Sequence, residues 1–240
     1  MHQTMNHLLD NITWFTLTGA HARYASGANN ARRYANGFSP IIGFADPADP
    51  DFDTLAAYCQ PDEQLYCPEW RGELPADWRL HVEKVMFRMV WDAATPAVDE
   101  FADAIRLGPQ HAAAALELAQ LTNPGPFGPR TIELGEYFGW FEDGRLAAMA
   151  GERMHAGTLR EVSGICTHPD FRGRGLARRL TLKLIHRVLK RGETPFLHVM
   201  GDNPGARQLY RKMGFRDYCE TTARIISRCS IQENSRTDHV

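Results

Sequence analysis

The alternation of apolar and polar positions is clearest from Arg79 onward. Along Arg79–Trp91 the apolar residues Leu80, Val82, Val85, Phe87 and Met89 mostly alternate with polar ones, which predicts a strand. Thr95-Pro96 sets an N-cap type of residue before a proline at the first helical position and predicts a helix to Leu107, stopped by Gly108-Pro109. Gln110–Leu121 carries four consecutive alanines and then Leu116, Leu118 and Leu121, and predicts a second helix. The proline- and glycine-rich stretch from Thr122 to Pro129 cannot be regular structure. Three strands are predicted next, over Ile132–Phe141, Arg145–His155 and Leu159–Thr167, with turns at Glu142-Asp143-Gly144 and Ala156-Gly157. Leu176, Leu180, Leu184 and Val188 recur every four residues and predict an amphipathic helix from Gly173 to Arg191, ended by Gly192. A short strand over Phe196–Met200, a helix from Asp202-Asn203-Pro204 to Met213-Gly214, and strands from Phe215 and over Thr221–Arg228 complete the pattern.

The first 78 residues are less regular. Trp14–Leu17 and Pro40–Phe44 look like short strands, and Asp51–Cys59 like one short helix with Phe52, Leu55 and Ala56 on one face. Arg32-Arg33 reads as a solvated surface pair. The polar stretch from Ser230 reads as a frayed tail. From Arg79 the predicted order is β-α-α-β-β-β-α-β-α-β-β. An antiparallel run feeding a βαβ unit implies a mixed α/β fold, mostly antiparallel, with helices on both faces of the sheet.

Composition narrows the function classes. The 240 residues include 27 Lys plus Arg and 29 Asp plus Glu, a net charge of −2, which argues against a general nucleic-acid binder. No apolar run is long enough to span a membrane, and Met1–Asn6 has no basic region leading into one, so neither a spanning helix nor a signal peptide is expected. The five cysteines, Cys59, Cys67, Cys166, Cys219 and Cys229, are scattered without a C-x-x-C pair, which fits reduced thiols in a cytoplasm. The histidines form no metal-binding pattern, so no metal is expected.

Against this neutral background one segment stands apart. Arg172-Gly173-Arg174-Gly175-Leu176-Ala177-Arg178 sits between an apolar strand and an amphipathic helix, and Arg172–Arg191 holds eight basic residues and no acidic one. Glycines let consecutive N–H groups face one anion, and a helix N-terminus adds partial positive charge. A phosphate-bearing ligand is the natural partner. A dinucleotide fingerprint would need Gly where Arg178 stands, and a P-loop would need Gly-Lys-Ser/Thr, so both fit poorly. A plain glycine turn before a solvated basic face fits the seven residues equally well.

The wider context separates these readings. Val162 to Ala177 resembles the acyl-coenzyme A signature of the GNAT N-acetyltransferase superfamily, Arg/Gln-x-x-Gly-x-Gly/Ala, met here by Arg172, Gly175 and Ala177. Asp202 to Phe215, with Asn203, Ala206, Leu209-Tyr210 and Gly214-Phe215, resembles the second signature of that superfamily. The resemblance covers about Arg79 to Arg228. It implies a GNAT-like catalytic domain over residues 79–230, an N-terminal extension or degenerate half-domain over 1–78, and a polar tail over 231–240.

It also implies roles. Ile165, Cys166 and Thr167 would offer backbone groups to the pantetheine arm, as a sheet edge accepts a strand, and a backbone N–H near that strand's end would hold the oxyanion. Arg172, Gly173, Arg174, Gly175, Leu176, Ala177 and Arg178 would surround the pyrophosphate, and Asn203 would contact the coenzyme arm or cap its helix. Tyr210 would protonate the departing thiolate. His198 stands where related enzymes often carry a carboxylate that deprotonates the amine, with a buried structural histidine as the alternative; Glu133, Glu136 and Glu161 are further candidates for the base. Cys166 is not expected to be an acyl-enzyme nucleophile. The implied activity is transfer of acetyl from acetyl-coenzyme A to a primary amine by direct attack in a ternary complex, without nucleic acid or membrane, and with room for a homodimer. A non-catalytic acyl-coenzyme A module and, more remotely, a nucleotide-binding oxidoreductase are the alternatives. The loop Thr122–Arg130 is the expected specificity element.

Overall fold

Frequent prolines and glycines cut the N-terminal third into short elements. In the computed structural model, which describes residues 7–96 and 101–230, these are α1 (Ile12–Thr18), β1 (Ala25–Ala28), β2 (Ala31–Tyr34), β3 (Ile42–Phe44), α2 (Phe52–Ala56) and β4 (Leu65–Cys67). Then follow β5 (Trp78–Trp91), β6 (Ile105–Arg106), α3 (Ala112–Thr122), β7 (Tyr137–Glu142), β8 (Arg145–Ala156) and β9 (Leu159–Thr167). The chain closes with α4 (Leu176–Lys190), β10 (Thr194–Met200), α5 (Pro204–Met213) and β11 (Phe215–Arg228).

Eight strands form one sheet in the order β4-β11-β5-β10-β9-β8-β7-β6, and β1-β2-β3 form a second, smaller sheet. Among the described strands of the large sheet only β9 and β10 run parallel, joined through α4. The fold is therefore mixed α/β around a mostly antiparallel sheet. Neighbours along β10 alternate faces, so Leu197 and Val199 point one way and Phe196 the other. On the first face Leu176, Leu180, Leu184 and Ile185 of α4 pack on Met89, Val162, Leu197 and Phe215. On the second, α3 sets Ala115 and Leu118 on Met149 and Cys166, while the N-terminal segment sets Leu9, Ile12 and Leu17 on Val90, Leu159 and Phe196. The N-terminal third thus covers part of one face, and its strand β4 extends the large sheet by pairing with β11.

Several sequence expectations need correction. Trp14–Leu17 lies in a helix, not a strand: Ile12, Thr13, Thr16 and Leu17 are the buried positions, a helical spacing that a four-residue window hides. The helix expected from Thr95 does not reach Leu107. Phe101, Ala104 and Leu107 are buried at spacing three, which imitates a helix, but Ile105–Arg106 is an edge strand paired with Phe138 and Gly139. Residues 97–100 of that expectation lie outside the described residues. The strand expected from Ile132 begins only at Tyr137, after a 3-10 turn over Thr131–Leu134. The two expected C-terminal strands are one, β11, irregular between Asp217 and Cys219. Arg33 is not a solvated surface residue: it is 2% exposed and bound to Glu63 at 2.5 Å. The five cysteines are free thiols, and among the described residues no helix is long and apolar enough to cross a membrane. The tail beyond Ser230 lies outside the described residues.

Candidate active site

β9 ends at Thr167, a 3-10 turn over Pro169–Phe171 reverses the chain, and Gly175 caps α4. Gly173 and Gly175 have φ of +77° and +74°, a left-handed conformation that side chains with a Cβ rarely adopt. Nothing lies within 4 Å of where a Cβ would stand on either. The protein does not crowd this turn, so the first N–H groups of α4, which have no partner inside the helix, face open space. Arg172, Arg174 and Arg178 are exposed around it, whereas the side chain of Leu176 is buried in the core.

The basic helix is less free than its charge count implies. Arg174 is bound to Glu142 at 2.7 Å, Arg187 to Glu136 at 2.6 Å, and Arg191 to Glu152 at 2.6 Å. Arg179 stacks on Phe101 at 3.8 Å, and Lys183 lies 5.2 Å from the Phe138 ring. A cleft of about 840 Å³ lined by Arg187, Arg191, Glu136 and Glu152 lies at the C-terminal end of α4, roughly 22 Å along the helix from the glycine turn. Glu136 and Glu152 pair its Arg187 and Arg191 within the protein.

Beside the turn the sheet opens. β9 and β10 share three parallel pairs, the last being Glu161 with Phe196. Beyond it β9 runs on to Thr167 and β10 to Met200 without pairing to each other. The β10-facing edge of Val162–Thr167, including Ile165, Cys166 and Thr167, is therefore open to an extended ligand. A bulge shapes this edge: Gly151 pairs with Ser163 but Met149 pairs with Cys166, so β9 carries one extra residue, and Gly164 has φ of +60°. An isolated glycine inside a strand pattern is the signal that could have found this bulge in the sequence. The Cys166 side chain is buried under α3, and burial pushes its thiol up to about 11. It is a packing residue.

Tyr210, on α5, packs edge-on to Phe215 at 6.0 Å, on the face that also carries Ile165. Burial raises its phenol to about 12, so it stays protonated at neutral pH. The side chain of Asn203 accepts a hydrogen bond from the Ala206 N–H at 3.1 Å and caps α5.

His198 marks the fork where β9 and β10 part. Its Nδ1 is 2.8 Å from Glu161, and its Nε2 accepts from Arg88 Nε at 3.0 Å, so both ring nitrogens are engaged. Glu161 also holds Arg153 through two bonds of 2.9 and 2.7 Å, and Arg88 holds Glu69 at 2.6 Å. All five groups are buried. Burial pushes the Glu161 carboxyl up, but Arg153 and His198 outweigh it and hold it well below the carboxylate range; burial lowers His198. This chain of alternating charge crosses the sheet at the fork. Its arginines are absent from the motif pattern because they gain meaning only from strand register. Of the other carboxylates considered, Glu136 is bound to Arg187 and Glu133 to Arg130 at 2.7 Å.

Known proteins resemble this chain in sequence and in fold. Residues 137–225 match the FR47-like protein family model. A 75-residue stretch is 36% identical to the mycothiol acetyltransferase of Gordonia bronchialis, covering 31% of this chain and 24% of that protein, so the chain matches about a quarter of this curated relative's length. Solved structures of a GCN5-related N-acetyltransferase from Kribbella flavida and a GCN5-related N-acetyltransferase-like protein from Streptococcus suis share the fold at 16% and 15% identity, each with TM-score 0.58. They cover 91% and 93% of this chain and 95% and 98% of their own. A GNAT-family structure from Novosphingobium aromaticivorans is 35% identical, with TM-score 0.85, covering 92% of this chain and 99% of its own. That match extends into the N-terminal third, and with the glycine turn, the strand fork and the mixed sheet it makes this chain an acetyltransferase of the GNAT family.

Proposed function

We propose that the protein transfers acetyl from acetyl-coenzyme A to a primary amine by direct attack, without an acyl-enzyme. The observation that carries this reading is the continuity of two openings: the unpaired edge of β9 leads from the fork at Glu161 to the left-handed glycine turn before α4. An extended pantetheine arm fits the first, and a pyrophosphate fits the N–H groups of Gly173 to Arg178 in the second. The open space beside Gly173 and Gly175 suits such an anion, because any side chain there would occupy it.

In this reading a backbone N–H near the bulge of β9 steadies the oxyanion as the amine adds to the acyl carbon. The carbon–sulfur bond then breaks, and Tyr210 supplies the proton that the thiolate needs. His198 acts as a positioning residue: with Glu161 and Arg88 on its two nitrogens it has no lone pair left for the amine, and it ties the strands where they part. The amine attacks in its neutral form, and the proton it sheds on becoming the amide passes to solvent and restores the Tyr210 phenol. Calorimetric titration with coenzyme A, followed by an acetyl transfer assay over a panel of primary amines, tests the reading. Binding with turnover is expected. Tight binding without turnover on any amine would favour an acyl-coenzyme A binding module, and no binding would remove the proposal.

A further inference from the structure

The Tyr137 hydroxyl is buried and makes no hydrogen bond among the described residues. Two glycines clear its path. Tyr137 in β7 pairs with Gly151 in β8, which pairs with Ser163 in β9, so the three stand in line across the sheet. A Cβ on Gly151 would fall 2.2 Å from the Tyr137 ring, so the ring occupies the place of a side chain there and lies across β8. A Cβ on Gly164 would stand 3.1 Å from the ring and 3.5 Å from the hydroxyl oxygen. The phenol therefore ends at the bulge of β9, beside the edge left open to the acyl donor. Phe127, from the loop Thr122–Arg130, stands edge-on to it at 6.0 Å.

An unpaired hydroxyl in a buried site costs free energy, and a phenylalanine would fill the same space without that cost. The surroundings define what would pair with it. Burial keeps the phenol protonated, so it is a donor. Arg153 is a charged neighbour of the phenol and spends Nε and one terminal nitrogen on Glu161, while its other terminal nitrogen reaches only the Pro126 carbonyl at 3.5 Å. A donor phenol with this positive charge acting on it suits an oxygen acceptor.

We propose that Tyr137 is a specificity-determining residue whose hydroxyl donates to a carbonyl or carboxylate oxygen adjacent to the amine being acetylated. The preferred acceptors are then amino acids or peptide N-termini, not plain alkylamines. The inference rests on the acetyl transfer reading above.

The test is Tyr137→Phe in the full chain, assayed with alaninamide and with n-butylamine as probes beside coenzyme A calorimetry and thermal unfolding. The variant should bind coenzyme A as wild type does and unfold at the same or a higher temperature, because no internal hydrogen bond is lost. Its kcat/KM should fall about tenfold for alaninamide and hold within about twofold for butylamine. Where turnover is too slow to measure, weaker alaninamide binding to the coenzyme A complex of the variant is the equivalent result. A lower unfolding temperature would show a structural partner and overturn the proposal, as would equal losses on both amines or no loss on either. Loss of coenzyme A binding by the wild-type protein would instead sink the transferase reading itself, and this inference with it.

Discussion

At the scale of single residues, Tyr210 and His198 lie near the same opening but are held in opposite ways. Tyr210 is constrained by packing alone, and burial lifts its phenol to about 12. Tyr210→Phe keeps the ring, so binding of acetyl-coenzyme A should change little. Steady-state kinetics should show kcat lowered by at least about tenfold, less than the full effect of a general acid because water can substitute. An acid must be protonated to act, and a raised pKa extends its working range upward. The kcat profile should therefore show no decline assignable to Tyr210 until pH exceeds about 11; wild-type kinetics in Tyr210→Phe would assign the proton elsewhere. His198 is constrained by two charged neighbours. His198→Phe removes a partner from each of Glu161 and Arg88, and urea unfolding should register a loss of roughly 1–3 kcal/mol. The two residues also differ in legibility. Tyr210 belongs to a motif of fixed spacing, whereas the neighbours of His198 lie 37 and 110 residues away and meet it only through strand pairing.

At the scale of elements, the glycine turn was legible because its conformation is local. Two residues with positive φ before a helix require glycine whatever the rest of the chain does. Gly175→Val adds a branched side chain both to a left-handed position and to the space an anion would fill. Calorimetry should find coenzyme A affinity reduced by at least about tenfold, or roughly 1.4 kcal/mol; unchanged affinity in a folded variant would dissociate the turn from the cofactor. The charge of α4 was legible only as a sum. Glu136, Glu142 and Glu152 come from β7, β8 and the turn before them, and they neutralise Arg174, Arg187 and Arg191. Coenzyme A binding should accordingly weaken only moderately as salt rises, since Arg172 and Arg178 are exposed at the turn to be screened while Arg174 is already paired. A steep dependence would mean that the ion pairs open on binding. Elements whose pattern spans few residues were misread: α1 looked like a strand, and β6 was hidden by Phe101, Ala104 and Leu107, which are spaced like a helix face.

At the scale of the whole molecule, the N-terminal third is continuous with the rest. It supplies β4 to the large sheet, Leu9 and Ile12 to the core over Phe196, and Glu69 to the buried charge chain through Arg88. None of this was legible from the first 78 residues, because short elements take their meaning from the surface they cover. His21 sits in this interface, with Nδ1 2.9 Å from the Tyr34 hydroxyl, which in turn reaches the Arg153 carbonyl of the large sheet. Burial, the first cause, and the nearby positive charges of His155, Arg160 and Arg23 lower the His21 pKa from 6.5 to about 4. Between those values the unfolded chain binds a proton that the folded chain excludes. The contribution of His21 is therefore complete above pH 6.5 and is lost as pH falls toward 4. The shift is equivalent to roughly 3 kcal/mol. Carboxylates titrate in the same range, so the comparison that isolates His21 is with His21→Gln, which has no proton to gain. Chemical denaturation at pH 7 and pH 4 should show the wild type losing more stability than the variant, by up to about 3 kcal/mol. Parallel losses in the two proteins would mean that the imidazole is protonated in the folded state, and that acid weakens the interface through other groups.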